Sequence, residues 1–244
     1  MTLLAHMQGQ RLPVEGLASE RDYVSVLASR LDNGQVAILF ASLPDLGPVR
    51  SGADSDHPIT PLQLQDLSKQ GAHISLSLSN LGIANPVLSE LRIDRQHANP
   101  YGRWQDLGQP ESGDADTYAA LASDMEPAVL QHRQALASHT LAFPLPPAAV
   151  RMFIISPSDP TEARTPEPPV ITAITPYRGL NGERSAFIRW QQHGTGIVAY
   201  HLWASHDGGA YKRITPQPVL DLGFLYMIPE DAEEIHYRVE VVAL

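Results

Sequence analysis

The chain has 244 residues, 43% of them hydrophobic and 18% charged, which is enough to bury one large core or two modest ones. A net charge of −10 with no local basic cluster excludes nucleic acid as a partner and disfavours polyanionic sugars. The absence of cysteine excludes disulfides, thiol nucleophiles and thiolate metal sites, and points to a bacterial rather than a eukaryotic secretory source. No run reaches the roughly 18 apolar residues of a membrane span, and residues 1–10 lack the basic-then-apolar pattern of a signal peptide. No membrane association is expected, and the compartment stays open.

Residues 2–8 predict a short helix with Leu3, Leu4 and Met7 on one stripe and Gly9 as its stop. A helix this short at a terminus has little to pack on and reads as the end of something larger. Residues 23–31 and 35–43 flank Asp32-Asn33-Gly34 and predict an antiparallel hairpin. In residues 72–81, Ile74, Leu76 and Leu78 alternate with Ser75, Ser77 and Ser79, the pattern of a half-buried strand. Further strands are expected at 87–94, 139–145 and 150–156, and a surface helix at 114–124 with Asp114 as its capping acid. Residues 156–169 then read SPSDPTEARTPEPP, with five prolines and almost no large apolar side chain. Such a stretch cannot pack a core, which places a domain boundary there.

Beyond it, strands are expected at 170–174, 185–192, 197–205, 210–215, 224–228 and 235–244, with Asp207-Gly208-Gly209 as a hairpin turn. Their short spacing predicts a sandwich, so the whole chain is expected to be all-β. Trp190 and Tyr200 read as core aromatics. Trp203, alternating with Tyr200 and Leu202, should point away from that core, either as a sugar-stacking platform or as a contact to a neighbouring domain.

The search for chemistry yields few groups. His73, His97, His132 and His139 are scattered without metal-ligand spacing, and neither a nucleophile elbow nor a phosphate-binding glycine loop occurs, so no metal or cofactor is expected. The densest polar and aromatic cluster is Asp94, His97, Asn99, Tyr101 and Trp104. It reads as a loop that is either fixed by its own hydrogen bonds, with Trp104 packed between domains, or leaning over a substrate.

The segments LLAHMQGQRLPV, VSVLASRLDNGQVAILFAS, LRIDRQHANPYGRWQDLGQP and LAFPLPPAAVRMFIISP, in this order, resemble the region that follows the catalytic barrel in family 39 glycoside hydrolases. FIRWQQHGTGIVAYHLWASHDGGAYKRI followed by EIHYRVEVVAL is similar to the fibronectin type III tail of the α-L-iduronidase branch, which simple β-xylosidases lack. The resemblance implies a remnant of the last barrel helix at 1–9, an accessory β-sandwich at 10–156, a proline-rich linker at 157–168 and a fibronectin type III-like sandwich at 169–244 without its last strand. It also implies a glycosidase barrel as partner, in cis or in trans, and self-association through the exposed edge strand at 235–244. Retention needs two carboxylates about 5 Å apart at barrel strand ends. None of Glu15, Glu90, Glu111 and Glu126 matches the family's catalytic Asn-Glu step, so no catalytic residue is assigned and the chain by itself is not expected to be an enzyme. The alternative is a free-standing carbohydrate-binding or protein-interaction module.

Overall fold

Two strands carry apolar side chains at nearly every position, and both lie at the centre of the fold. The computed structural model describes residues 2–16, 24–43, 71–111, 115–159, 167–179, 182–193 and 196–244. Among these, the N-terminal half contains α1 (Thr2–Ala5), β1 (Gln10–Arg11), β2 (Val24–Arg30), β3 (Val36–Ser42), β4 (Ala72–Ser77) and β5 (Pro86–Ile93). It continues with α2 (Pro100–Asp106), α3 (Ala115–Ser123), β6 (Ala128–Ala135), β7 (Thr140–Leu145) and β8 (Ala149–Pro157). A six-stranded sheet runs β1-β2-β3-β8-β5-β6, and β4 pairs with β7 in a separate two-stranded sheet.

The central strands β3 and β8 are buried on both faces, which is why their sequences VAILFAS and MFII are unbroken apolar runs. Val36, Ile38, Phe40, Phe153 and Ile155 face one way, onto Phe143 and Leu145 of β7 and the half-buried Ile74 and Leu76 of β4. Three phenylalanines meet there, Phe143 lying 5.2 Å from Phe40 and 4.9 Å from Phe153, ring centre to ring centre. Ala37, Leu39, Met152 and Ile154 face the other way, into a second cluster that also holds Leu3 of α1 and, from the C-terminal half, Ile197, Ala199, Leu220 and Leu244. β4 has only one buried face, and its sequence AHISLS alternates accordingly.

The C-terminal half comprises β9 (Glu167–Arg178), β10 (Arg184–His193), β11 (Val198–His206), β12 (Lys212–Arg213), β13 (Gly223–Ile228) and β14 (Ile235–Ala243). Two three-stranded sheets, β13-β10-β9 and β12-β11-β14, pack Ala186, Ile188 and Trp190 against Val198, Tyr200 and Leu202. The Trp190 and Tyr200 rings meet edge-on at 5.4 Å and are 3% and 1% exposed, so both belong to the core. The Asp207-Gly208 turn takes positive φ at both residues (51° and 73°), the geometry that suits the twist of a hairpin. Backbone N–H groups of Glu233 and Glu234 donate to the Asp207 carboxylate, which holds its pKa below the usual range.

Several expectations are corrected. The N-terminal helix stops at Ala5 rather than 8, and it does not lack packing: Leu3 is 3% exposed, because the face of the central sheet that turns away from β4 and β7 receives it. The strand expected at 210–215 is only Lys212–Arg213. β6 was not expected at all. Met1, Tyr23, the capping Asp114 and the middle of the expected linker, 160–166, lie outside the described residues.

The two halves meet through one side chain above all. Gln35, 3% exposed, donates from Nε2 to Ser156 Oγ (3.0 Å) and to the carbonyls of Ile197 (3.3 Å) and Leu244 (3.2 Å). Its Oε1 accepts the Ile197 N–H at 2.8 Å and the Asn33 side-chain amide at 2.9 Å. Gly196 sits against this knot with φ of 112°, and a Cβ there would collide with the Asn33 amide. Only glycine allows so close an approach.

Candidate functional site

Among the described residues three places gather chemistry, and the Asp94 cluster has the most hydrogen bonds of its own. Asp94 closes a four-residue loop at the end of β5: its N–H donates to the His97 carbonyl (2.9 Å), and its Oδ1 accepts from Gln96 N and from the His97 ring nitrogen Nδ1, both at 2.8 Å. Ala98 then takes a positive φ of 54° and turns the chain into α2. The sequence reading made this stretch a loop throughout, whereas residues 100–106 are helical. Asn99 caps the helix by accepting the Gly102 N–H at 3.1 Å, and Pro100 fills the first turn, where no N–H is needed. Asn followed by Pro was the sequence signal for this helix.

The five side chains do not converge on one point. Asp94 and His97 bind each other, and Asn99 also donates to the Arg95 carbonyl at 3.0 Å. Tyr101 stacks on Trp104 with ring centres 5.6 Å apart, while the Trp104 indole N–H donates to the Pro110 carbonyl at 3.1 Å. Tyr101 is 64% exposed, so the result is a stiff knob tipped by an aromatic ring.

Next to Asp94 along β5 lies a buried ionic group around Glu90, a residue the sequence reading weighed only as a catalytic carboxylate. Glu90 is 2% exposed, and its Oε1 accepts from Arg151 Nη2 (2.6 Å) and Nε (3.0 Å) and from Arg92 Nη2 (2.8 Å) and Nε (3.1 Å). Arg151 also donates to the Pro144 carbonyl (2.6 Å) and lies over the rings of Phe143 and Phe153, 4.5 and 5.5 Å from their centres. A carboxylate held by two guanidiniums and shut off from solvent cannot act as a nucleophile.

The second place is the outer face of the sheet β12-β11-β14. Trp203 does point away from the core, yet it is only half-exposed: its indole N–H donates to Glu240 Oε2 (2.9 Å), and Arg238 lies 5.3 Å from its ring centre and from that of Tyr211. His201, on the same face, bonds Thr215 Oγ1 at 3.1 Å, and burial together with Arg213 lowers its pKa.

The third place is a cleft between the end of α3 and the outer face of the sheet β13-β10-β9, lined by Met125, Glu126, Phe187, Arg189, Asp221 and Leu225 among others. Glu126 Oε2 accepts the Leu220 N–H at 3.3 Å. Burial first, and then the nearby Asp221 carboxylate, push its pKa up to about 7. His6 also feels Asp221, and burial lowers its pKa. Nothing in the local sequence around Glu126 shows this, because Leu220 and Asp221 lie 94 and 95 residues further along the chain.

The described residues define an all-β fold of several antiparallel sheets. No protein family and no curated protein matches the sequence. Its fold is that of part of a bacterial orthologue of human α-L-iduronidase, with a TM-score of 0.68 at 20% identity, over 89% of this chain and 35% of that one. This chain therefore spans about a third of that protein's length. A monomeric β-xylosidase from Caulobacter crescentus CB15 matches at a TM-score of 0.46 and 16% identity, over 64% of this chain and 29% of its own. A GH39 enzyme from Xanthomonas axonopodis pv. citri matches at 0.41 and 16%, over 64% and 29%.

Proposed function

We propose that this chain is the non-catalytic accessory region of a retaining exo-glycosidase resembling α-L-iduronidase or β-xylosidase, and that it supports a catalytic (β/α)8 barrel in cis or in trans. The observation that carries this reading is the partial likeness: nearly all of this chain has the fold of a third of a much longer protein. In this reading residues 10–156 are the accessory sandwich, 157–168 the linker and 169–244 a fibronectin type III-like sandwich. The sheet orders β13-β10-β9 and β12-β11-β14 support the last assignment. The knob at Tyr101 and Trp104 is the surface offered to the barrel.

The chemistry of the carboxylates agrees with this reading. Retention requires a nucleophile and an acid/base held in register in an accessible cleft. Glu90 is locked under Arg92 and Arg151, and Asp94 is engaged by His97 and Gln96. Glu126 has the raised pKa of a general acid but spends an oxygen on the backbone of Leu220. Purified chain, assayed with aryl α-L-iduronide and aryl β-xyloside from pH 4 to 8, is expected to show background rates only. Turnover that survives repurification and falls on Glu126→Gln, Asp94→Asn or His97→Ala would overturn the non-catalytic reading.

The rival reading, a carbohydrate-binding module, rests on Trp203. Arg238 already lies against that ring and Glu240 holds its N–H, which leaves a sugar less of the ring to stack on. Calorimetric titration with xylo-oligosaccharides and uronic acid-containing oligosaccharides separates the two readings: affinity that vanishes in Trp203→Ala would favour the module.

A further inference from the structure

We infer that the cleft between the end of α3 and the outer face of the sheet β13-β10-β9 is a binding site for a neutral carbohydrate of disaccharide length. Its volume of about 840 Å³ falls within the roughly 300–1,000 Å³ of small-molecule sites. It also lies where the two halves of the chain meet, a common place for such sites.

Strand alternation sets the floor. Ala186, Ile188 and Trp190 of β10 point into the core, so Ser185, Phe187 and Arg189 point outward and line the cleft. Register places Tyr177 of β9 beside Ser185, Leu225 of β13 beside Phe187, and Gly223 beside Arg189. The Tyr177 row and the Arg189 row are four residues apart, about 13 Å along the strand, a length that suits a disaccharide. Tyr177, Leu225 and, from the α3 side, Met125 are 53%, 43% and 69% exposed, so apolar surface faces the cleft from both walls.

The polar groups select the ligand, and they gather at the Arg189 end. Gly223 pairs with Arg189 there, Asp221 precedes it by two residues, and Glu126 is tied to the same segment through the Leu220 N–H. Arg189 makes no ion pair among the described residues; its guanidinium lies 5.4 Å from the Phe187 ring centre and carries five N–H donors. An anionic ligand would meet two carboxyl groups at this end, and a cationic one would meet the guanidinium. A hydrocarbon would desolvate all three without offering a hydrogen bond. Sugar hydroxyls both donate and accept, so they match groups of both kinds, while the C–H faces of the rings cover Tyr177, Phe187 and Leu225. Below the pKa of about 7 that burial and Asp221 give Glu126, its carboxyl donates to a hydroxyl as well as accepting.

The test is calorimetric titration of the whole chain at pH 6 with xylobiose, cellobiose, maltose and lactose, and with an aldobiouronic acid as the charged counterpart. The expected result is saturable binding of at least one neutral disaccharide, weakened about tenfold in Tyr177→Ala and in Arg189→Ala and unchanged in Trp203→Ala. Tyr177 and Arg189 are both exposed, and circular dichroism is expected to show an unchanged fold in their variants. The Trp203 variant separates this cleft from the outer face of the sheet β12-β11-β14. Absence of binding across the neutral panel overturns the proposal, as does tighter binding of the uronic acid. So does binding that Tyr177→Ala and Arg189→Ala leave unchanged or that Trp203→Ala abolishes. The non-catalytic reading stands apart from these outcomes, because the hydrolysis assay decides it.

Discussion

Glu126 sits where a carboxylate ionises reluctantly, and that has a measurable sign. Its pKa rises from 4.5 to about 7 in the folded chain, so its contribution to stability is present in full below about pH 4.5 and is lost as pH rises toward 7. Allowing for its partial exposure, the loss is about 1–2 kcal/mol. His6, whose pKa is lowered, acts in the opposite direction and costs stability as pH falls through its ordinary range. The difference between parent and Glu126→Gln separates the two. In urea unfolding from pH 4.5 to 8, the variant is expected to gain on the parent as pH rises, and a constant difference would mean that Glu126 does not titrate in this window. Residues of this kind are the least legible in sequence. Asp94 and His97 stood out because they are neighbours, whereas the partners of Glu126, Leu220 and Asp221, lie 94 and 95 residues downstream.

Elements were legible in proportion to how much of their pattern was local. The unbroken apolar run of β3 and the alternation in β4 state directly how many faces each strand buries. β6, AVLQHRQA, shows neither pattern because it is a bulged edge strand: its register against β5 shifts between Leu88 and Leu91, and Arg133 takes a φ of 47°. Helix α2 was missed for a different reason. Its capping signal is local and clear, but the polar and aromatic residues around it drew attention to chemistry instead. Asn99→Ala removes the acceptor for Gly102 N–H and the donor to Arg95, with an expected loss of about 1 kcal/mol in thermal or urea unfolding. An unchanged midpoint would mean that the Asp94–His97 closure alone holds the knob. Asn99→Asp, which keeps the acceptor, is expected to retain most of the stability.

At the scale of the whole molecule the junction is where sequence is least informative. Local composition suggested two cores separated by a proline-rich dip, and the described residues add a third cluster that draws on both halves. Gln35 is 121 residues from Ser156, 162 from Ile197 and 209 from Leu244, so no window along the chain could reveal the knot. Replacing Gln35 with leucine would strand the buried Ile197 N–H, while the Leu244 carbonyl keeps the Ser156 hydroxyl, a cost of about 1–3 kcal/mol. The parent is expected to unfold in one calorimetric transition and Gln35→Leu in two, as coupling between the halves weakens. Gly196→Ala, which forces the Asn33 amide aside, is expected to act in the same direction. A single unshifted transition in both variants would show that the apolar contacts of Leu220 and Ile154 suffice.

Burial on both faces leaves β8 with an ambiguity that its apolar residues cannot resolve. A slip by one residue would exchange Met152 and Ile154 for Phe153 and Ile155, leaving hydrophobic side chains on both faces. The same slip would drive the Arg151 guanidinium into the cluster shared with the C-terminal half and separate it from Glu90. The ion pair of Arg151 with Glu90 therefore acts as a key that fits a single reading frame: its worth lies less in the stability it adds than in the alternative alignments it makes prohibitively costly.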